Sequence, residues 1–566
     1  MLPAPGWTSS PAATEQPQLS VAMSLATRAV EVLARIPPAR TRAVTVRRDI
    51  EIAMPDGITL LADRFRARED GTQPTILMRT PYGRTGVWAL GARVFAERGY
   101  QVILQSCRGT GGSGGEFNAY RNELRDGLAT LSWIERQPWF SGKIAMFGPS
   151  YLGIAQWAIA TDPPPSLRAM AAPISSARVR RFTYPGGAFS LESTLSWLAL
   201  LARPRRGGRL GLRDRLASPK RMERGFAAIP LRDADLAVTG ERVPFYQDWL
   251  ARSDDDAFWG PVEFERRLDS LTVPVTMVTG WYDMFLPAQL ADYRALRAAG
   301  REVRLMIGSW KHTDPGVAAE SLRDSLDWFE THLLDRDRSR RRSRVRLFVG
   351  GARRWLDVDE WPLPARTARW HLHPGGLLHT RLPGASAPDR YRFDPSNPTP
   401  SVGGSLLSRS GGPRDNRALE RRSDVLVYTS ATLVRDVEVI GPVSAELHVR
   451  STLEHTDFFV RLCDVEPSGV SRNICDGLVR LVPTSWQRGE DGVATVEVPL
   501  WPAAHVFRRG HRLRVQVSSG AHPRFARNLG GGEPLASAVT MHVADQEVWH
   551  DPDHRSAIVL PVRETG

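Results

Sequence analysis

The sequence is poor in cysteine and in lysine, with three of each, and has no histidine before position 312. Its three cysteines, Cys107, Cys463 and Cys475, lie far apart with no C-x-x-C spacing. That excludes a disulfide scaffold and a thiolate zinc site, and suits a reducing compartment; a cytoplasmic location is expected. Only three of the 75 Lys+Arg residues are lysine, and the net charge is +13. So extreme an Arg-for-Lys bias reads as base composition rather than selection for a polyanion. No stretch approaches the ~18 consecutive apolar residues of a membrane span. The N-terminus lacks the basic and apolar regions of a secretion signal. Nothing calls for a metal or a cofactor, and none is expected.

What is present is ordinary globular composition, with 42% hydrophobic and 24% charged residues over 566 positions. Bulk disorder and low-complexity classes are excluded. Seven of the eleven residues from Arg336 to Arg346 are arginine. A solvated inter-domain linker accounts for that run; a nucleic-acid-binding protein using it is the remote alternative. No nucleic-acid partner is expected, and a homodimer is left open.

Residues 1–44 form an N-terminal extension, partly disordered, with helical apolar spacing over 18–36 at Val21, Leu25, Val30 and Leu33. From 45 to 175 short, near-continuous apolar strands alternate with amphipathic helices. That is the pattern of a parallel sheet covered on both faces. The rhythm stops over 176–270, where helical segments carry aromatics at Trp197, Tyr246, Trp249, Phe258 and Trp259, and resumes over 271–344. Residues 345–566 alternate with period two between Gly/Pro/Asn turns, the signature of a β-sandwich of jelly-roll type. The expected architecture is an α/β-hydrolase domain, a helical cap inserted in it, and a C-terminal jelly-roll domain.

A search for a nucleophile finds G-x-S-x-G at Gly111–Gly115. Five glycines in the seven positions 109–115 make that match cheap. Ser113 lies in a loose loop with no helix after it, whereas a nucleophile elbow runs from a strand directly into a helix. Ser150 has that context. Strand KIAMFG leads into Pro149-Ser150 and helix YLGIAQWAIA follows, although the second glycine falls one place late, at Gly153. Asp283 ends strand VPVTMVTG and His312 ends strand REVRLMIG, at the strand ends where such sheets place their sites. The chain order Ser, acid, His is that of α/β-hydrolases. His332, the other histidine of this part, lies mid-helix and reads as a surface or packing residue. The scarcity of histidine therefore assigns a general base to His312, with Asp283 as its orienter. The backbone N–H of Tyr151 is one candidate oxyanion donor. Tyr82, in the loop after an early strand, is the other; a turn aromatic is its alternative reading.

At these residues the sequence resembles the cocaine esterase / X-prolyl dipeptidyl-peptidase family of serine hydrolases. The motifs are MPDG (54–57), Pro81-Tyr82, RGTGGSGGEF (108–117), QPWFSGKIAMFGPSYLG (137–153), GWYD (280–283), the His312 segment, DFFVRLCDV (457–465), DGLVR (476–480) and HPRFARN (522–528). The resemblance implies Ser150, Asp283 and His312 as catalytic residues, and Tyr82 and the N–H of Tyr151 as oxyanion hole. It also implies a C-terminal domain that helps to wall the site. One departure is Ser106, where relatives carry Asp two places before the Arg of the RG motif; a structural Asp–Arg contact is then lost. The family cleaves esters, amides and X-Pro peptide bonds on one scaffold, and fold does not choose among them. The residues after Asp283 are Met284-Phe285-Leu286-Pro287, with no carboxylate to hold a free amine. Asp254-Asp255-Asp256 in the cap is an alternative amine site or a solvated run. Cap aromatics point to an apolar acyl pocket and a small-molecule ester or amide, with an X-Pro dipeptidyl-peptidase or acylase as the alternative.

Overall fold

The computed structural model describes residues 21–68, 71–202, 219–336 and 343–563. Its first sheet has ten strands: β1 (Val44–Ala53), β2 (Thr59–Ala67), β3 (Thr75–Thr80), β4 (Gln101–Ser106), β5 (Ile144–Phe147), β6 (Leu167–Ala171), β7 (Val275–Tyr282), β8 (Val303–Lys311), β9 (Val345–Val349) and β10 (Arg354–Val358). They lie in the order β1-β2-β4-β3-β5-β6-β7-β8-β9-β10. From β4 to β9 neighbours run parallel, and antiparallel pairs close both edges. The C-terminal ends of β3, β5, β7 and β8 therefore share one edge of the sheet.

Both faces of this sheet are covered, as its near-continuous apolar strands require. In β3, Leu77 packs with Ile103, Met146 and Trp157 on one face. Its neighbours Ile76 and Met78 pack with Val102, Leu104, Phe95 and Phe329 on the other. All of these are at most 1% exposed, so truncating one of the aliphatic residues to Ala costs about 2–5 kcal/mol. The covering helices include α2 (Gly86–Ala96), α3 (Glu123–Glu135) and α4 (Tyr151–Ala160). The N-terminal extension forms α1 (Val21–Leu33) and docks by charge as well as apolar contact. Buried Glu97 accepts from Thr27, Arg42 and Arg93 at 3.0, 2.6 and 3.0 Å. Residues 1–20 of the extension lie outside the described residues.

Between β6 and β7 the described residues form no strand. They form α5 (Val179–Thr183), α6 (Leu191–Leu201), α7 (Pro219–Ala227), α8 (Ala234–Thr239), α9 (Pro244–Ala251) and α10 (Asp256–Trp259). α11 (Leu286–Ala298) and α12 (Pro315–Leu334) complete the α/β part. The remaining strands, from Arg366–His373 to Ala557–Arg563, make the expected β-rich C-terminal domain. Its period-two reading holds in detail: Val443, Ala445, Leu447 and Val449 are at most 2% exposed. The first strands of residues 345–566 pair outside that domain's sheet. β9 pairs parallel to β8 and β10 antiparallel to β9, so residues 345–358 extend the first sheet. Alternation of buried Val345, Leu347 and Val349 looks the same in a sandwich strand and in a sheet-edge strand, and periodicity does not say which sheet a strand joins.

Candidate active site

Ser150 stands where β5 turns into α4, and it adopts φ 57° and ψ −125°. A non-glycine residue held there stores roughly 1–3 kcal/mol of backbone strain, which the surrounding packing must offset. The flanking glycines are required by close approach. A Cβ on Gly148 would lie 2.2 Å from Leu152 Cβ, and one on Gly153 would lie 2.2 Å from Ser175 Oγ. The late glycine of G-P-S-Y-L-G thus lets α4 pack against the loop after β6.

His312 Nε2 lies 3.1 Å from Ser150 Oγ, and its Nδ1 lies 2.7 Å from Asp283 Oδ2. Asp283 is fully buried, and its other oxygen accepts the N–H of Phe285 at 2.8 Å. With the ring proton on Nδ1, facing the carboxylate, Nε2 is left to accept the serine hydroxyl proton. Three residues separated by up to 162 positions thereby form one hydrogen-bonded chain.

Tyr82 follows β3 and reaches the same point. Its hydroxyl accepts the indole N–H of Trp197 at 3.0 Å and lies beside Ser150. Burial raises the Tyr82 pKa well above the usual phenol range, and its hydrogen bonds offset this only partly. The phenol therefore stays protonated and able to donate. Tyr151 is the first residue of α4, so its backbone N–H has no partner within the helix. Its ring is anchored below: the hydroxyl donates to Glu123 at 2.8 Å and accepts the N–H of Tyr120 at 3.2 Å. Glu123 is itself paired with fully buried Arg79 at 2.7 Å.

An aromatic shell surrounds this chain. Phe285 lies 5.5 Å from the His312 ring and 4.6 Å from Phe182. Trp197, Tyr120 and Tyr151 stack on one another. A loop of the C-terminal domain closes over the edge. Lys311, next to His312, donates to the carbonyl of Arg409 at 2.9 Å. Glu192 of α6 accepts the N–H groups of Leu407 and Ser408, each at 2.9 Å. A cleft of about 750 Å³ between cap and C-terminal domain is lined by none of Ser150, Asp283 and His312.

The five residues singled out from sequence are thus together. Ser113 is structural: its hydroxyl donates to Ser106 O and accepts from Leu61 N, each at 2.9 Å. His332 packs its ring on Trp328 at 4.3 Å. Burial pushes its pKa down to about 4, with Arg304 and Arg168 adding to the shift. The arginine contact expected to be lost at Ser106 is replaced. Arg108 pairs with Asp126 at 2.6 Å and Asp56 at 2.9 Å, while Ser106 Oγ accepts from Arg84 at 2.7 Å. Asp254 and Asp256 are exposed and pair with Arg180, and Asp255 accepts the N–H of Phe258 in capping α10. Residues 337–342 of the arginine run lie outside the described residues. Among the described residues no cluster of His, Cys, Asp or Glu is arranged to hold a metal ion, and no helix is long and apolar enough to cross a membrane. Sequence reading did not single out Phe285, Phe182, Glu192, Lys311 or the Trp197–Tyr82 bond. Phe285, two places after Asp283, and Lys311, next to His312, had a local signal; the others had none.

Fold and site together define a serine hydrolase. Residues 56–314 match the X-Pro dipeptidyl-peptidase (S15) family, and residues 338–558 match the X-Pro dipeptidyl-peptidase C-terminal non-catalytic domain. The chain is 34% identical to cocaine esterase of Rhodococcus sp. (strain MB1 Bresler), over 92% of this chain and 98% of that one. An aminopeptidase from a marine sediment Thaumarchaeota archaeon superposes with a TM-score of 0.80 at 23% identity, covering 93% of this chain and 98% of the other. An α-amino acid ester hydrolase gives 0.78 at 22%, with the same coverage. The chain belongs to the X-Pro dipeptidyl-peptidase (S15) family of serine hydrolases.

Proposed function

We propose that the chain is a carboxylesterase that cleaves a small ester, or an amide, with an apolar and preferably aromatic acyl group. The observation that carries this reading is the Ser150–His312–Asp283 chain beneath a shell of aromatic side chains.

Ser150 Oγ attacks the ester carbonyl carbon as its proton passes to His312 Nε2. The carbonyl oxygen becomes an oxyanion, held by the Tyr82 hydroxyl and the Tyr151 N–H. Asp283 stabilises the imidazolium and fixes its tautomer. The intermediate collapses, the C–O bond to the leaving group breaks, and that oxygen takes the proton from His312. A water then loses a proton to Nε2 and attacks the acyl-serine. The second tetrahedral species collapses to the free acid and Ser150. Phe182, Phe285 and Trp197 would receive the acyl group.

The alternative, release of X-Pro dipeptides, needs a carboxylate to hold a free N-terminal amine. Asp254 and Asp256 are already paired, and an apolar segment follows Asp283. A panel of p-nitrophenyl acetate, butyrate and benzoate against dipeptidyl-Pro anilides tests the choice. Esters are expected to be turned over at least 100-fold more efficiently. Anilides preferred over esters would overturn the esterase reading. A fluorophosphonate probe should label the wild type and leave Ser150→Ala unlabelled.

A further inference from the structure

Tyr82 has two neighbours at its hydroxyl, and only one of them belongs to the hydrolase domain. The other is Trp197, from α6 of the cap, whose indole N–H meets Tyr82 Oη at 3.0 Å. An indole nitrogen donates and never accepts. This bond therefore occupies a lone pair of the phenol oxygen and leaves the phenol proton free to donate. Tyr82 Oη also lies beside Ser150. The indole thereby takes one of the directions open to the rotating hydroxyl, and the phenol proton must point elsewhere.

The indole is itself held. It is stacked on Tyr120 at 5.9 Å and 5°, on Trp249 at 6.2 Å and 7°, and on Tyr151 at 5.9 Å and 23°; Phe245 tilts against it at 5.6 Å. The Tyr82 ring is braced separately by stacking on Trp88 at 5.6 Å. Fixed donors aimed at a developing charge need no reorganisation during the reaction, which is where such sites gain most. A hydrogen bond received by a hydroxyl also strengthens the bond it donates.

We infer that Trp197 is a positioning residue: its indole N–H orients and polarises the Tyr82 hydroxyl, so that the cap helix completes the oxyanion hole of the hydrolase domain. This rests on the proposed roles of Ser150 and Tyr82. It gives Trp197 a second task beyond apolar contact with an acyl group, and it predicts effects that a pocket wall does not produce. Loss of wall contact changes substrate affinity. Loss of the N–H changes only the step in which the oxyanion forms.

The test is a double-mutant cycle on the full chain with p-nitrophenyl acetate, whose small acyl group makes little use of a pocket wall. Tyr82→Phe is expected to lower kcat by about 10²–10³-fold. Trp197→Phe keeps a ring but removes the N–H, and is expected to lower kcat about tenfold with KM within about twofold. Placed on Tyr82→Phe, Trp197→Phe is expected to change kcat by no more than about twofold, because no phenol remains to orient. Site-specific 3-benzothienylalanine at 197 keeps the indole shape with sulfur in place of N–H, and should reproduce Trp197→Phe even where that variant folds poorly. An unchanged kcat in the benzothienyl enzyme overturns the inference, as does a Trp197→Phe effect that multiplies fully with Tyr82→Phe. Full turnover by Ser150→Ala or Tyr82→Phe would instead overturn the underlying reading of the site.

Discussion

Asp283 divides its two carboxylate oxygens between two partners: Oδ2 meets His312 Nδ1 at 2.7 Å, and Oδ1 accepts the backbone N–H of Phe285 at 2.8 Å. The second bond ties the acid to the start of α11, so its direction does not depend on the histidine. Asp283→Asn should therefore keep the fold and the histidine position while presenting the wrong hydrogen-bonding partner to Nδ1. A fall in kcat of about 10³–10⁴-fold with an unchanged melting temperature is expected, measured on p-nitrophenyl esters. Ser150→Ala should lose at least about 10³-fold. An Asn variant within tenfold of wild type would remove Asp283 from the proposed triad.

His332 provides the contrast. Its pKa in the folded chain is about 4, against about 6.5 when exposed, with burial the largest cause. A depressed histidine binds fewer protons folded than unfolded. Between pH 6.5 and 4 the unfolded chain gains a proton that the folded chain resists, so stability falls as pH falls through that window and is unaffected above it. His332→Gln should keep full esterase activity and lose less stability between pH 7 and 4, by about 1–2 kcal/mol after allowance for solvent screening. Denaturant unfolding at the two pH values measures this; an inactive His332→Gln would reopen the choice of base.

The elbow predicts a rescue. Ala at 153 would place its Cβ 2.2 Å from Ser175 Oγ, displacing α4 and with it the N–H of Tyr151. Gly153→Ala is expected to lower the melting temperature and cut kcat at least tenfold. Gly153→Ala with Ser175→Gly should recover part of both, since the clash is with that side chain. It will not recover all, because Ser175 Oγ also accepts from Trp157 at 3.2 Å.

Phe285 touches both His312 and Phe182. Phe285→Ala is expected to lower kcat/KM for the benzoate ester by about 10–100-fold more than for the acetate, the scale of losing apolar contact with one ring. Equal losses on both esters would place the acyl group elsewhere.

Much of this site was legible because its residues are punctuated by local structure. Ser150, Asp283, His312 and Tyr82 each follow an apolar strand, and a strand end is visible in one dimension. The parallel order of β3, β5, β7 and β8 converts four strand ends into one edge. Histidine scarcity did the rest, leaving two bases to weigh. The pairing of residues 345–358 with the first sheet was hidden because alternation identifies a strand and not its sheet. The fate of Ser106 was hidden because Arg108 finds Asp126, eighteen residues on, through a turn of chain that no spacing rule encodes.

Sequence alone therefore settled the class of architecture and pointed to the members of the proposed catalytic chain, since both readings rest on periodicities and order along the backbone. Tertiary structure decided which partners those members have. The indole of Trp197 on Tyr82, Glu123 beneath Tyr151, and Glu192 and Lys311 holding a loop of the C-terminal domain are contacts between residues 28 to 216 positions apart. Hydrogen bonds are short and directional, so such contacts exist only where packing brings two chain segments within about 3 Å, and no local pattern announces them.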